Sequence, residues 1–112
     1  MCTQNKALAI ASVISSFAKE YLGNKLYAVI VYGSYARADY DEESDIDIFV
    51  LIECEAYETE KYEKSFSRIA SRLSLENDVT VSVALRDVKT FDQYKAVLPF
   101  YKNIEREGIR IA

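Results

Sequence analysis

Two short motifs in this chain could do chemistry together: Gly33-Ser34 and, after ten intervening residues, Asp45-x-Asp47. Asp47 sits in Ile46-Asp47-Ile48-Phe49-Val50-Leu51-Ile52, a run otherwise apolar on both faces, which reads as a central strand. An unpaired carboxylate buried there would cost roughly several kcal/mol. Asp45, two residues earlier, leaves the same face about 7 Å along the strand. Two carboxylates on one side of such a strand repel each other, and a cation between them resolves the conflict. Oxygen ligands select a hard ion, Mg²⁺ or one similar. Gly33-Ser34 closes one strand and opens a helical turn. Glycine lets the backbone approach a ligand, free N–H groups at a helix start attract phosphate, and the serine hydroxyl adds a donor. If the two strands are neighbours, a phosphate cradle and a metal-binding pair meet at one edge of a sheet. That pairing suits Mg²⁺-dependent chemistry on a nucleoside triphosphate.

Composition narrows the alternatives. None of the 112 residues is histidine, which excludes a Ser-His-Asp or Cys-His centre and an imidazole-based zinc site. Eighteen Asp and Glu against fourteen Lys and Arg give a net charge of −4, and no basic stripe interrupts the chain, so a direct grip on nucleic acid through its phosphates is not expected. Half the residues are hydrophobic, enough for one cored domain over residues 1–112. Cys2 and Cys54 lack the spacing of a metal or redox pair and read as reduced thiols. The start of the chain has no convincing secretory signal, and the longest unbroken apolar run, residues 26–32, is far short of a bilayer span. The expectation is a cytoplasmic protein with no membrane partner.

The elements that must position the two motifs follow from periodicity. Residues 4–22 place Ile10, Val13, Ile14, Phe17, Ala18 and Tyr21 on one helical stripe, stopped by Gly23-Asn24. Residues 26–32 read as a strand, 34–38 as a helical turn, 39–44 as an acidic loop and 45–52 as a second strand. A second long helix over 57–74 aligns Tyr62, Phe66, Ile69, Ala70 and Leu73. A third strand over 78–85 points Val79, Val81, Val83 and Leu85 one way and Asp78, Thr80 and Ser82 the other. Residues 91–107 read as helical, with Pro99 as a kink or a fresh start, Gly108 as a cap, and 109–111 as a short edge strand. The fold class is α/β (α+β), a mixed sheet with flanking helices.

These motifs resemble those of the minimal nucleotidyltransferases, within the DNA polymerase beta-like superfamily. The likeness rests on Gly33-Ser34 and Asp45-x-Asp47 at this spacing, on Ala36-Arg37, and on Ser44-Asp45-Ile46-Asp47-Ile48. It extends to the closing segment, where Pro99-Phe100-Tyr101-Lys102-Asn103-Ile104 and Glu105-Arg106-Glu107-Gly108-Ile109 are similar to the family's. The resemblance implies a polymerase beta-like nucleotidyltransferase fold and a two-metal transfer of a nucleoside monophosphate, AMP from ATP or another NTP, with pyrophosphate leaving. Asp45 and Asp47 would hold Mg²⁺, while Gly33, Ser34, Arg37 and Ser44 would bind the nucleotide. It also implies an acceptor on another chain, since small members act as antitoxins that adenylylate a helical HEPN toxin.

One departure stands out. The family's third carboxylate, on the next core strand, falls on Thr80 here, and Asp78 lies one side-chain repeat away. Either Asp78 serves as the third catalytic carboxylate through a shifted register, or the site has lapsed and the chain is a binding or nucleotide-sensing subunit. Arg37 reads equally as a phosphate contact or as a partner of the acidic loop. Tyr94, Phe100 and Tyr101 are expected to pack the last helix on the sheet. Glu60 and Lys64 are spaced for a helical ion pair.

Overall fold

The computed structural model describes residues 2–112, and its sheet is organised around the apolar run that carries Asp47. Strand β2, Ile46–Ile52, is flanked by β1, Leu26–Tyr32, and by β3, Val81–Asp87. A two-residue strand β4, Ile109–Arg110, completes the order β3-β2-β1-β4. β1 runs antiparallel to β2, with Val29 opposite Val50 and Tyr32 opposite Asp47. β3 is parallel to β2, with Ile46 opposite Val81 and Asp47 opposite Ser82. A parallel neighbour requires a crossover, and helix α3, Glu60–Asn77, supplies it. The sheet is therefore mixed.

Both faces of β2 are covered, which is why its sequence does not alternate. Val29, Val31, Ile46, Ile48, Val50 and Ile52 are buried beneath α3 and helix α1, Gln4–Leu22. Ala28, Phe49 and Leu51 form a smaller core on the other face with Phe91, Tyr101 and Ile104. These come from α4, Val88–Tyr94, and α5, Pro99–Glu107. Asp47, between Ile46 and Ile48, belongs by alternation to this second, thinner layer.

α3 buries the five residues that its periodicity marks. α1 is rotated from the expected stripe: Ala7, Ile10, Ala11, Ile14, Ala18 and Leu22 face the sheet, while Val13 and Tyr21 are exposed. The alanines let the helix approach closely, and bulk at Val13 and Tyr21 is turned outward. Thr3 caps this helix, its hydroxyl accepting from the Lys6 N–H at 3.2 Å, and Gly23 ends it at φ 59°.

The third strand starts later than expected. It spans Val81–Asp87 rather than 78–85, because Asp78 adopts the left-handed conformation (φ 51°, ψ 45°) that terminates α3 and donates its N–H to the Ser74 carbonyl. A left-handed residue cannot continue into a pleated strand. β2 likewise begins at Ile46, one residue inside the expected 45–52. The segment over 91–107 is two helices, not one, and Pro99 is a fresh start at the first helical position. The cause of the earlier helix is a capping residue that periodicity does not mark: Asp87, 2% exposed, caps α4 by accepting from the Thr90 N–H at 2.9 Å. The ion pair expected between Glu60 and Lys64 is not among those of the described residues; Lys61 pairs with Glu58 at 3.0 Å instead.

Gly108 links α5 to β4 at close quarters. A Cβ there would meet the Ile30 side chain, and the Ile104 carbonyl oxygen at 2.5 Å. Backbone cannot swing aside, so Gly108→Ala should destabilise the fold by about 1–3 kcal/mol, read as a lower urea midpoint at unchanged slope.

Candidate active site

The end of β1 and the start of β2 bring the two motifs together. Tyr32 lies opposite Asp47, so the next residue, Gly33, leaves the sheet directly beside that carboxylate. Gly33 has φ 76°, and a Cβ on it would meet Asp47 Oδ2 at 2.5 Å. The conformation favours glycine, and any side chain there would have to displace the Asp47 carboxylate. Gly33 caps a single helical turn, α2, Ser34–Arg37, which Ala38 closes in the left-handed conformation at φ 63°. The Gly33 carbonyl accepts from the Ala36 and Arg37 N–H groups, each at 3.1 Å. The N–H groups of Ser34 and Tyr35, at the start of the turn, have no preceding helical carbonyl to bond. Tyr35 anchors the turn: it is buried in the main core, and its ring stacks on Tyr40 at 4.5 Å.

Asp47 is half-buried. Burial, and then the neighbouring Asp45 carboxylate, hold its carboxyl above the usual carboxylate range, against the Arg37 guanidinium, which pulls it down. Tyr32 feels the same charge: burial and Asp47 both push its phenol up. Asp45 is exposed, one residue before the strand. The Ile46 N–H is held by the Thr80 carbonyl at 2.8 Å, which fixes the point where the acidic loop enters the sheet.

The other site residues expected from sequence divide. Arg37 does partner the acidic loop: Nε lies 3.0 Å from Asp39, Nη1 lies 3.6 Å from Glu107, and its charge reaches Asp47. Its five donors leave capacity for a phosphate. Ser44 is tied into its own loop. Its hydroxyl oxygen accepts from the Asp41 N–H at 2.9 Å and its hydroxyl donates to Asp41 Oδ1 at 3.3 Å. Asp78 is not brought to the carboxylate pair. It lines a cleft of about 490 Å³ with Lys6, Tyr35 and Glu42, on the α1 side. The register instead sets Ser82 beside Asp47, with Thr80 two residues earlier. Glu107, whose Oε2 reaches Arg37, is a site residue that sequence reasoning does not find; a carboxylate closing a helix sixty residues beyond the motif carries no local signal.

The donor set fits a divalent cation of limited demand. Two hard carboxylates, one half-buried, are held against each other with only Arg37 to offset them. Among the described residues no cluster of three or more His, Cys, Asp or Glu side chains could hold a metal. Mg²⁺ commonly takes one or two carboxylates, completing its shell with water and substrate phosphates, and Asp45 with Asp47 matches that mode.

A mixed sheet that sets a Gly-Ser turn against a carboxylate on its central strand, with a second carboxylate on the loop just before it, defines the nucleotidyltransferase architecture, and comparison with known proteins agrees. Residues 11–111 match the nucleotidyltransferase domain family, and the chain belongs to it. A Methanocaldococcus jannaschii relative named "Putative protein adenylyltransferase MJ0141" is 35% identical over 109 residues, covering 93% of this chain and 100% of that one. Two solved structures share the fold. "Structure of putative minimal nucleotidyltransferase" has a TM-score of 0.61 and 20% identity, over 96% of this chain and 94% of the other. "Crystal structure of the toxin-antitoxin with AMP-PNP" has a TM-score of 0.58 and 19% identity, over 91% of this chain and 72% of the other.

Proposed function

We propose that this protein transfers AMP from ATP to a hydroxyl of a partner protein, with Mg²⁺ held by Asp45 and Asp47. The observation that carries this reading is the close fit of Gly33 against Asp47 Oδ2, which sets the Gly33-Ser34 turn beside the Asp47 carboxylate. The 35% identical relative named as a protein adenylyltransferase supports a protein acceptor. The toxin–antitoxin neighbour supports an antitoxin role; that the partner is a helical HEPN-type toxin follows only from the resemblance of the motifs.

In this reading the N–H groups opening α2 and the Ser34 hydroxyl bind the outer phosphates. Arg37 spans the gap between them and the acidic loop. The acceptor hydroxyl oxygen bonds to the α-phosphorus, the bond from that phosphorus to the bridging oxygen breaks, and pyrophosphate leaves while the hydroxyl proton passes to solvent. A metal held by Asp45 and Asp47 would supply neutralisation of the triphosphate charge and of the charge developing on the leaving pyrophosphate. What the chain contributes is positioning and a fixed field, which supply most of the acceleration in such transfers. The proposed compartment is the cytoplasm, which supplies ATP. It would also keep Cys2 and Cys54 as the free thiols they are here. No helix among the described residues is long and apolar enough to cross a membrane.

A second reading, a lapsed site kept for binding, is favoured by one observation: Ser82 and Thr80, not a carboxylate, stand beside the Asp45–Asp47 pair. Ser82 is exposed, so a larger side chain fits. Ser82→Asp should tighten Mn²⁺ binding roughly tenfold by isothermal titration, by adding a charged ligand beside Asp47. Unchanged affinity would mean that this position does not face the ion.

The deciding experiment is intact-mass analysis of the co-purified partner after incubation with Mg²⁺ and each of the four NTPs. One added AMP from ATP, absent with Asp45→Ala and Asp47→Ala, is the expected result. A partner bound and neutralised with no mass gain from any nucleotide would make this a binding subunit.

A further inference from the structure

β3 lies at the edge of the sheet, and its outer backbone is unbonded. The Thr80 carbonyl accepts from the Ile46 N–H, and along a parallel ladder every second residue points the same way. Ser82, Ala84 and Arg86 therefore bond to β2, while the N–H and C=O groups of Val83 and Leu85 face outward. Among the described residues no hydrogen bond reaches that outer pair. Val81, at the start of the strand, gives its N–H to the Ser74 hydroxyl oxygen at 2.8 Å. A groove of about 300 Å³ runs beside the edge, between Glu63, Phe66 and Ser67 of α3 and the outer side of β3. A seven-residue edge with no proline and no register shift is a template for another strand.

The strand is complementary to a second copy of itself. Laid antiparallel about Ala84, its midpoint, Val83 exchanges backbone bonds with Leu85 of the copy, and Leu85 with Val83. Valine meets leucine on the α3 face, and Arg86 falls opposite Ser82 on the other. No like charges oppose. Glu63, the other charged residue of the groove, lies towards Arg86, because α3 runs back along β3 and sets Ser74 beside Val81. The twofold axis carries its mate to the opposite end.

This register gives Arg86 a destination. The side chain is exposed and belongs to no ion pair among the described residues. Asp47 is the neighbour of Ser82 across β2 and β3, so Asp47, Ser82 and Arg86 of the copy form one row on one face of the joined sheet. The outer Cα atoms of that row are two strand spacings apart, roughly 10 Å, a span that an arginine side chain covers. A cation without a partner in its own chain thereby meets the carboxylate pair of the other.

We infer that β3 pairs with β3 of a second copy, antiparallel about Ala84, and that Arg86 of each copy reaches the nucleotide phosphates at Asp47 of the other. The pairing rests on strand geometry and charge alone, whereas the role of Arg86 rests on the proposed nucleotide site. There its planar, permanently charged guanidinium suits bidentate contact with phosphate.

The test is sedimentation velocity on the full chain without nucleotide, with MgATP titrated separately. The native chain should sediment as a dimer in the micromolar range. Ser82→Arg, which opposes two arginines, and Arg86→Glu, which brings a carboxylate towards Asp47, should each raise the dimer Kd about tenfold. Combined, they should restore native affinity, because arginine then faces glutamate across the interface. Within one chain the two positions lie roughly 13 Å apart, too far to compensate each other. Ala84→Cys should crosslink to its own mate under oxidant, at about 4.5 Å between Cα atoms, while Ser82→Cys and the native chain should not. Arg86→Gln should keep the dimer and raise the MgATP Kd at least about fivefold. A monomeric native chain, single variants without effect, a combined variant that stays dissociated, or crosslinking at 82 in place of 84 would overturn the pairing. Unchanged MgATP affinity in the Arg86→Gln dimer would overturn the role of Arg86. A native dimer of this register that binds no MgATP would uphold the pairing and fail the nucleotide reading.

Discussion

Asp47→Asn is expected to abolish nucleotidyl transfer and at the same time to raise the Tm. The two effects share one cause. Burial and the Asp45 charge lift the Asp47 carboxyl above its ordinary range, so its ionised form, the one a metal needs, is disfavoured in the folded protein. A carboxyl with a raised folded pKa contributes stability that is fully present below its unfolded pKa and is lost as pH rises through the folded pKa. At neutral pH the native residue therefore weakens the fold, and asparagine, uncharged and nearly isosteric, does not. The Tm advantage of the variant should be full at neutral pH and fade as pH falls through the carboxylate range. Thermal melts from pH 3 to pH 8 would show it. Transfer should drop roughly 10³-fold or more, since the lost group anchors the field at the reacting phosphate. Divalent cation should raise the Tm of the native chain and not of the variant. A variant less stable than the native chain at pH 7 would mean that Asp47 is held by favourable partners.

Gly33→Ala is expected to act in the opposite sense on stability while also removing activity. The new Cβ meets Asp47 Oδ2 at 2.5 Å, and φ 76° disfavours any side chain there. Strain of this kind costs about 1–3 kcal/mol, a fall in Tm on the order of 10 °C for a domain of this size. The contact and the backbone conformation can be separated. On the Asp47→Ala background the nearest oxygen is gone and only the conformational part remains. A double-mutant cycle should then show coupling of at least about 1 kcal/mol between positions 33 and 47. Equal costs on both backgrounds would assign the whole effect to the backbone.

The spacing of Gly33-Ser34 and Asp45-x-Asp47, and the apolar run around Asp47, are enough to anticipate the strand pair and the meeting of the two motifs. These are local signals, and the antiparallel pairing of β1 with β2 needs no information from distant residues. Asp78 departs from its expected place for a physical reason. Its alternation with Thr80 and Ser82 is that of a strand, but the preceding helix needs a left-handed terminus, and aspartate tolerates one. The expected face of α1 holds at Ile10, Ile14, Phe17 and Ala18 but not at Val13 and Tyr21. Bulk at Val13 and Tyr21 suggests burial, whereas closeness to the sheet selects the small residues Ala7, Ala11 and Ala18. The pairing of Glu107 with Arg37 depends on how α5 returns across the sheet, which no local pattern records.

β2 is hydrogen-bonded to a neighbour on each side and covered on each face, whereas Asp45 stands just outside it on the loop. Backbone amides inside β2 should exchange with deuterium only on global unfolding, and those of residues 39–45 orders of magnitude sooner. The two carboxylates thus sit on opposite sides of a boundary in opening rate. In the proposed transfer, Asp47 would supply an immobile reference for the phosphate, and Asp45 would follow the changing position of oxygen without the sheet having to move.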